Sequence, residues 1–282
     1  MGVRVNGKII VETYRNEIKS IIEDGISKGL RVPSIKTILV GDDGGSLSYV
    51  KSQNNLCNKL GISYTCTQLD KEISQNDIID IIEKFNEDNN VDGIIIQLPL
   101  PKNLNEKEIT SKISYKKDID GLTDVNMGRF YMGAKSFIPC TALGVIEMIK
   151  QTGCNIKGKH AVVIGRSNIV GKPAAQLLLN EDATVTICHS KTTNLKEICR
   201  SADIIVAAIG KPGFVTSEFV KEGAVVIDVG TTMVDSKITG DVDFYDVINR
   251  ASYVTPVPGG TGLMTTTMLI KNACAAWRDN VY

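Results

Sequence analysis

Residues 160–173 read HAVVIGRSNIVGKP, and the fold is decided by how that run breaks. The apolar, β-branched stretch His160–Ile164 has the character of a buried strand. It enters Gly165-Arg166-Ser167-Asn168-Ile169-Val170-Gly171 and then a helical pattern over 171–179. A strand that turns through glycine into a helix N-terminus offers backbone N–H groups and a positive helix end to a pyrophosphate. The spacing is G-x5-G rather than G-x-G-x-x-G. Glycine turns also join strands to helices for structural reasons alone, so the βαβ context carries the reading.

Working outward, further strands are expected at 183–188, 203–209, 224–229 and near 253–257, with helices between them and a last helix over roughly 264–277. Upstream, IKTILVG (35–41) reads as a buried strand ending in a glycine-rich loop at 41–46. A helix over about 48–60 stops at Gly61, and 63–69 alternates like a strand. Ser74 opens a helix with Ile78, Ile79, Ile81 and Ile82 on one side. VDGIIIQL (91–98) is a buried strand ended by Pro99 and Pro101. Strands alternating with helices predict an α/β fold with mostly parallel sheets. A chain of 282 residues suits two domains sharing a cleft, and the boundary falls near 140, after the loop at 132–135.

Composition narrows the classes. Lysine plus arginine equals aspartate plus glutamate at 32 each, so no global field draws the chain to nucleic acid or an anionic membrane. The hydrophobic and charged fractions, 43% and 23%, are those of an ordinary globular protein. Seven cysteines show no C-x-x-C pair, and His160 and His189 are the only histidines, so reduced thiols and no metal site are expected. With no apolar signal core at MGVRVNGKII and no bilayer-spanning run, a cytoplasmic location is expected.

The strand after the glycine turn selects the dinucleotide. Sites for NAD place an acid at its end for the ribose hydroxyls. Here that end reads Cys188-His189-Ser190-Lys191-Thr192, while Glu181 and Asp182 precede the strand. A 2′-phosphate would be repelled by a carboxylate and held by Ser190, Lys191 and Arg166, so NADP is the expected cofactor.

Taken together, SYV (48–50), DGIIIQLPLP (92–101), KDIDG (117–121), PCT (139–141), VIGRSNIVGKP (163–173), CHSKT (188–192), DVG (228–230) and PVPGGTG (256–262) resemble the methylenetetrahydrofolate dehydrogenase/cyclohydrolase (FolD) family across essentially the whole chain. The resemblance implies a folate-binding, catalytic domain of 1–139 plus 264–282, to which the last helix returns, and a Rossmann NADP-binding domain of 140–263. It implies oxidation of methylene-tetrahydrofolate to the methenyl form in one-carbon metabolism, hydrolysis of methenyl- to formyl-tetrahydrofolate in most members, and a homodimer joined through the Rossmann domains. Carried onto this sequence, it makes Tyr49, Gln53, Gln97 and Asp120 the catalytic positions. Substrate contacts fall on Tyr49, Gln97, Pro99, Asp120, Pro258, Gly259 and Gly260. Cofactor contacts fall on Gly165, Arg166, Ser167, Gly171, Ser190, Lys191 and Thr231.

Read alone, some of these residues have plainer roles. Gln97 is a strand-end amide that backbone could satisfy, and Tyr49 suits either a core or a cleft. Asp118 and Asp120 share one face if extended, and either could cap the turn at Gly121. A carboxylate nevertheless suits adjacent pterin N–H donors as a bidentate acceptor.

The departures are specific. Most bifunctional members carry lysine four residues after the tyrosine, where this chain has Gln53. On a helix, positions i and i+4 project about 40° apart, whereas Lys51 lies about 200° from Tyr49 and points away. Leu263 replaces a common proline, and Thr231-Thr232 follows DVG. An amide cannot titrate, so the expectation is dehydrogenase activity with weak or absent cyclohydrolase. The alternatives are a fully bifunctional enzyme, with water activated by another group such as Asp120, and a non-catalytic folate- or NADP-binding protein.

Overall fold

The computed structural model describes residues 2–235 and 237–281. Its first half runs β1 (Val3–Arg4), α1 (Gly7–Ser27), β2 (Ser34–Val40), α2 (Gly44–Leu60), β3 (Ser63–Leu69), α3 (Gln75–Glu87), β4 (Gly93–Ile96), α4 (Glu106–Ser111) and α5 (Asp124–Tyr131). The second half continues with α6 (Cys140–Gln151), β5 (His160–Ile164), α7 (Gly171–Asn180), β6 (Thr184–Cys188), α8 (Leu195–Arg200), β7 (Ile204–Ala207) and β8 (Val225–Asp228). The short hairpin β9 (Thr232–Val234) and β10 (Lys237–Thr239), then α9 (Phe244–Val247), β11 (Tyr253–Val254) and α10 (Thr261–Val281), complete the order.

Contacts divide the chain into two compact units, one of residues 14–138 and 269–282, the other of 1–13 and 139–268. In the first, β3, β2 and β4 form a parallel sheet with β2 central. Ile38, Ile78, Ile82, Ile94 and Ile109 are wholly buried around it. The register Ile38↔Ile96 ends β4 two residues before the end of β2 at Val40. The end of α10 is held by polar bonds: Trp277 Nε1 donates to the Arg31 carbonyl (2.9 Å) and Asn280 Nδ2 to Asp92 (2.9 Å). Asp92 is buried at 1% exposure, and Arg31 grips it at 2.6 and 2.7 Å while Ser34 N–H adds a third bond at 2.9 Å. A buried carboxylate is tolerable because it is paired and saturated in this way.

The helix α2 begins earlier than its sequence suggests. Asp43 accepts the Ser46 N–H at 2.8 Å as an N-cap, so Gly44-Gly45-Ser46 is helical rather than loop. The sequence pattern also leaves α1 unrecognised, although Ile10, Val11, Ile18 and Ile22 are buried at helical spacing.

The second unit carries the six-stranded sheet β1-β11-β8-β7-β5-β6, whose neighbouring strands all pair in parallel. Its core is built on Val162, Ile164, Ile205, Val226 and Val254. Residues 1–13 lie with this unit rather than with the other, because Val3 and Arg4 pair with Tyr253 and Val254 at the sheet edge. Of the expected strands, 63–69 and 160–164 appear with the expected bounds, 35–41 is displaced by one residue, and the others are shortened. Among the described residues, no helix is long and apolar enough to cross a membrane, and no group of three His, Cys, Asp or Glu could hold a metal ion.

Candidate active site

In the first unit, the expected folate-side residues gather at the carboxyl ends of β2 and β4 and in the turn beside β4. The helix α2 leaves the end of β2 with Tyr49 at 38% exposure. One turn on, Gln53 is only 3% exposed, and its Oε1 accepts the Tyr64 hydroxyl at 2.8 Å. The sequence places Gln53 on the tyrosine's helix face. The structure adds that this side chain is buried and held from β3. Burial pushes the Tyr64 hydroxyl well above its ordinary pKa, so it serves as a neutral donor. Tyr64 was missed in the sequence, where only its place in an alternating strand was visible. Lys51 is exposed, as its helix angle requires.

Gln97 follows β4 directly. Its N–H donates to the Ile38 carbonyl (2.9 Å) and its Nε2 to the Leu98 carbonyl (3.1 Å). Pro99 comes next, exposed, after a cis peptide bond. The two aspartates of KDIDG separate cleanly. Asp118, 1% exposed, accepts from Leu122 N–H (3.1 Å), Thr123 N–H (2.8 Å) and Asn126 Nδ2 (2.8 Å), so it builds the turn. Burial raises its pKa against those bonds. Asp120 is half-buried, and the Ile94 N–H bond to the Lys117 carbonyl (2.8 Å) holds its turn against β4.

In the second unit, the register Ile164↔Cys188 brings the ends of β5 and β6 level, and Gly165 N–H donates to the Cys188 carbonyl at 2.9 Å. The glycine turn and the Ser190-Lys191 turn are therefore neighbours. Both turn glycines are required sterically. A Cβ on Gly165, whose φ is +125°, would lie 2.1 Å from the Ala208 carbonyl oxygen, and one on Gly171 would lie 2.4 Å from that of Gly165. Ser167 Oγ accepts the Val170 and Gly171 N–H groups (3.2 Å each) at the start of α7, and its own O–H remains a donor. Arg166, Ser167, Ser190 and Lys191 are all exposed. At the opposite end of β6, Glu181 pairs with Lys150 (2.6 Å) and Asp182 with Lys157 (3.2 Å). Thr231 is exposed just past β8, and Pro258, Gly259 and Gly260 lead into α10.

Known proteins resemble the chain over both units. Residues 5–120 match the model of the tetrahydrofolate dehydrogenase/cyclohydrolase catalytic domain, and residues 139–281 that of the tetrahydrofolate dehydrogenase/cyclohydrolase NAD(P)-binding domain. The "Bifunctional protein FolD" of Clostridium acetobutylicum is 58% identical over 276 residues, covering 98% of this chain and 99% of its own. The crystal structure of the bifunctional enzyme FolD, methylenetetrahydrofolate dehydrogenase/cyclohydrolase, from Campylobacter jejuni superposes with a TM-score of 0.96 at 40% identity over 99% of each chain. The Trypanosoma brucei N5,N10-methylenetetrahydrofolate dehydrogenase-cyclohydrolase, solved with NADP cofactor and inhibitor, has a TM-score of 0.95 at 36% identity, covering 99% of this chain and 98% of that one.

Proposed function

The chain belongs to the tetrahydrofolate dehydrogenase/cyclohydrolase family, and on that premise we propose that it oxidises methylene-tetrahydrofolate to methenyl-tetrahydrofolate with NADP. The observation that carries the cofactor is the level pairing of the Gly165 turn with an acid-free Ser190-Lys191 strand end. The α7 N-terminus and the Ser167 hydroxyl suit the pyrophosphate, and Arg166, Ser190 and Lys191 suit a 2′-phosphate. The NADP held in the Trypanosoma brucei relative supports the same choice.

NADP would supply the hydride acceptor; what the chain contributes is positioning and electrostatics. Asp120 would accept the pterin's N–H donors, Gln97 and Pro99 would line the strand end, and Tyr49 would pack beside the folate. Pro258, Gly259 and Gly260 would allow close backbone approach to flat ligands. The folate nitrogen lone pair then stabilises the cation left as hydride departs. Assembly as a homodimer through the dinucleotide unit follows from the family likeness alone.

For the second half-reaction, the relatives' shared name favours hydrolysis of the methenyl product, and we adopt this bifunctional reading over the weaker hydrolysis inferred from Gln53. Gln53 still bears on how water is activated, because its buried amide cannot take up or release a proton near neutral pH. Under this reading Asp120 is the group that would move the proton. Assaying both half-reactions on one preparation tests the proposal. NADP reduction followed by loss of methenyl absorbance faster than in buffer is expected. Methenyl accumulation at the spontaneous decay rate would return the narrower reading, and no NADP reduction would overturn the dehydrogenase itself.

A further inference from the structure

Two buried carboxylates tie together the loops at the carboxyl ends of the six-stranded sheet, and nothing above gives them a task. Asp228 ends β8 at 2% exposure. Its Oδ1 accepts the N–H groups of Gly230 and Asp241 (2.9 Å each), and its Oδ2 that of Val242 (3.0 Å). Its backbone N–H donates to Thr255 Oγ1 (2.7 Å), and its carbonyl accepts the Thr261 hydroxyl (2.6 Å) at the start of α10. Asp241 is wholly buried. Its Oδ2 accepts the N–H groups of Ile209 (2.6 Å) and Gly210 (3.0 Å), and its Oδ1 that of Lys211 (2.7 Å).

Close packing leaves this arrangement little slack. A Cβ at Gly240 would sit 2.0 Å from Asp228 Oδ2, and one at Gly230 would sit 2.5 Å from the Asp241 carboxyl. The loop that Asp241 holds also abuts the dinucleotide turn, because the Ala208 oxygen occupies the space a Gly165 Cβ would need. Successive backbone N–H groups such as those of 209–211 form a concavity that attracts anions. Here a protein carboxylate fills it.

We propose that Asp228 and Asp241 are positioning residues for the dinucleotide site, holding loops 209–211 and 229–231 in register with the Gly165 turn. Because Asp241 occupies the 209–211 concavity, the cofactor's phosphates are left to the Gly165–Gly171 turn and to Ser190-Lys191. The inference rests on the NADP reading above.

Steady-state kinetics on the full chain separate the two. Wild-type turnover with NADP is measured first, and its absence would sink the NADP reading whatever the variants do. Asp241→Asn keeps the side chain's shape but removes its charge and turns an amide NH2, itself a donor, toward backbone N–H donors. We expect its KM for NADP to rise about tenfold or more, as loss of a charge-assisted hydrogen bond implies. Its KM for methylene-tetrahydrofolate should stay within about twofold, a split that general loosening of the fold would not produce. Asp228→Asn removes the charge that the Gly230, Asp241 and Val242 N–H groups meet and is expected to raise the NADP KM about fivefold. It decides the matter alone if Asp241→Asn fails to fold. An unchanged NADP KM in folded variants, or equal rises for both substrates, would overturn the positioning role.

Discussion

Replacing Gln53 with lysine is expected to speed hydrolysis of methenyl-tetrahydrofolate several-fold over wild type, less than the roughly 10²-fold or more that a general acid or base contributes where no other stands, because Asp120 already has the proton transfer in the proposed mechanism. The local geometry sets the terms. Gln53 is 3% exposed and accepts the Tyr64 hydroxyl at 2.8 Å. An ammonium in that position would be stripped of water and would leave the Tyr64 O–H without an acceptor. Burial lowers a lysine's pKa from about 10.4 by as much as 3–5, bringing the neutral amine within reach of pH 7. The neutral amine restores an acceptor for Tyr64 and is the form that proton movement at a water molecule requires.

The same shift makes stability depend on pH with a definite sign. When the folded-state pKa of a lysine is depressed, the unfolded chain binds more protons between the two pKa values, so stability rises with pH there. The Tm of Gln53→Lys should therefore lie furthest below wild type near pH 7 and recover as pH approaches 10. An unmet hydroxyl costs about 1–3 kcal/mol. In a unit of this size each kcal/mol moves Tm by about 2–4 °C. The assay follows methenyl absorbance with NADP reduction on the same sample, and Lys51→Ala, altering an exposed side chain, serves as control. A folded Gln53→Lys protein with normal hydride transfer and unchanged hydrolysis would refute the argument that an amine at this position sets the rate.

Three further outcomes are expected. Ser190→Asp should lower kcat/KM with NADP far more than with NAD, since it adds a carboxylate where the 2′-phosphate is assigned; equal losses, or a wild-type preference for NAD, would count against that assignment. Asp120→Ala should weaken folate binding by roughly 1.5–3 kcal/mol in calorimetric titration and leave NADP binding intact, whereas equal losses would point to a folding role. Gly165→Ala forces a Cβ to within 2.1 Å of the Ala208 oxygen at a φ of +125°, so NADP binding should be lost; retention of wild-type affinity would show that the turn adapts.

The parallel architecture was legible because its strands are apolar runs punctuated by glycine and proline, as at 160–165 and 91–99. The elements that escaped notice lack that signal. The buried stripe of α1 is interrupted by half-buried Tyr14 and Arg15, and β1 is two residues long, recognisable only by its partner Tyr253–Val254. The start of α2 was hidden by two glycines that a loop would also use, and the Asp43 cap decides it. At the site, helix geometry alone put Gln53 on the Tyr49 face. The partner across the strand, Tyr64, depends on how α2 packs on β3, which sequence periodicity does not encode.

The aspartates show why residue type was an incomplete guide to function. Asp92, Asp118, Asp228 and Asp241 are each at most 2% exposed. Every one accepts backbone N–H groups, from Ser34, from Leu122 and Thr123, from Gly230, Asp241 and Val242, and from 209–211 respectively. A carboxylate saturated by backbone donors shapes a turn and has little capacity left for a ligand. For Asp228 burial outweighs those donors and pushes the carboxyl up to about 6, with Asp241 adding to the rise. Asp120 stands apart as half-buried, two residues from a saturated neighbour that fixes its turn. Within KDIDG, therefore, the first aspartate builds the platform, and the second, half-buried beside it, is the one we propose for the substrate.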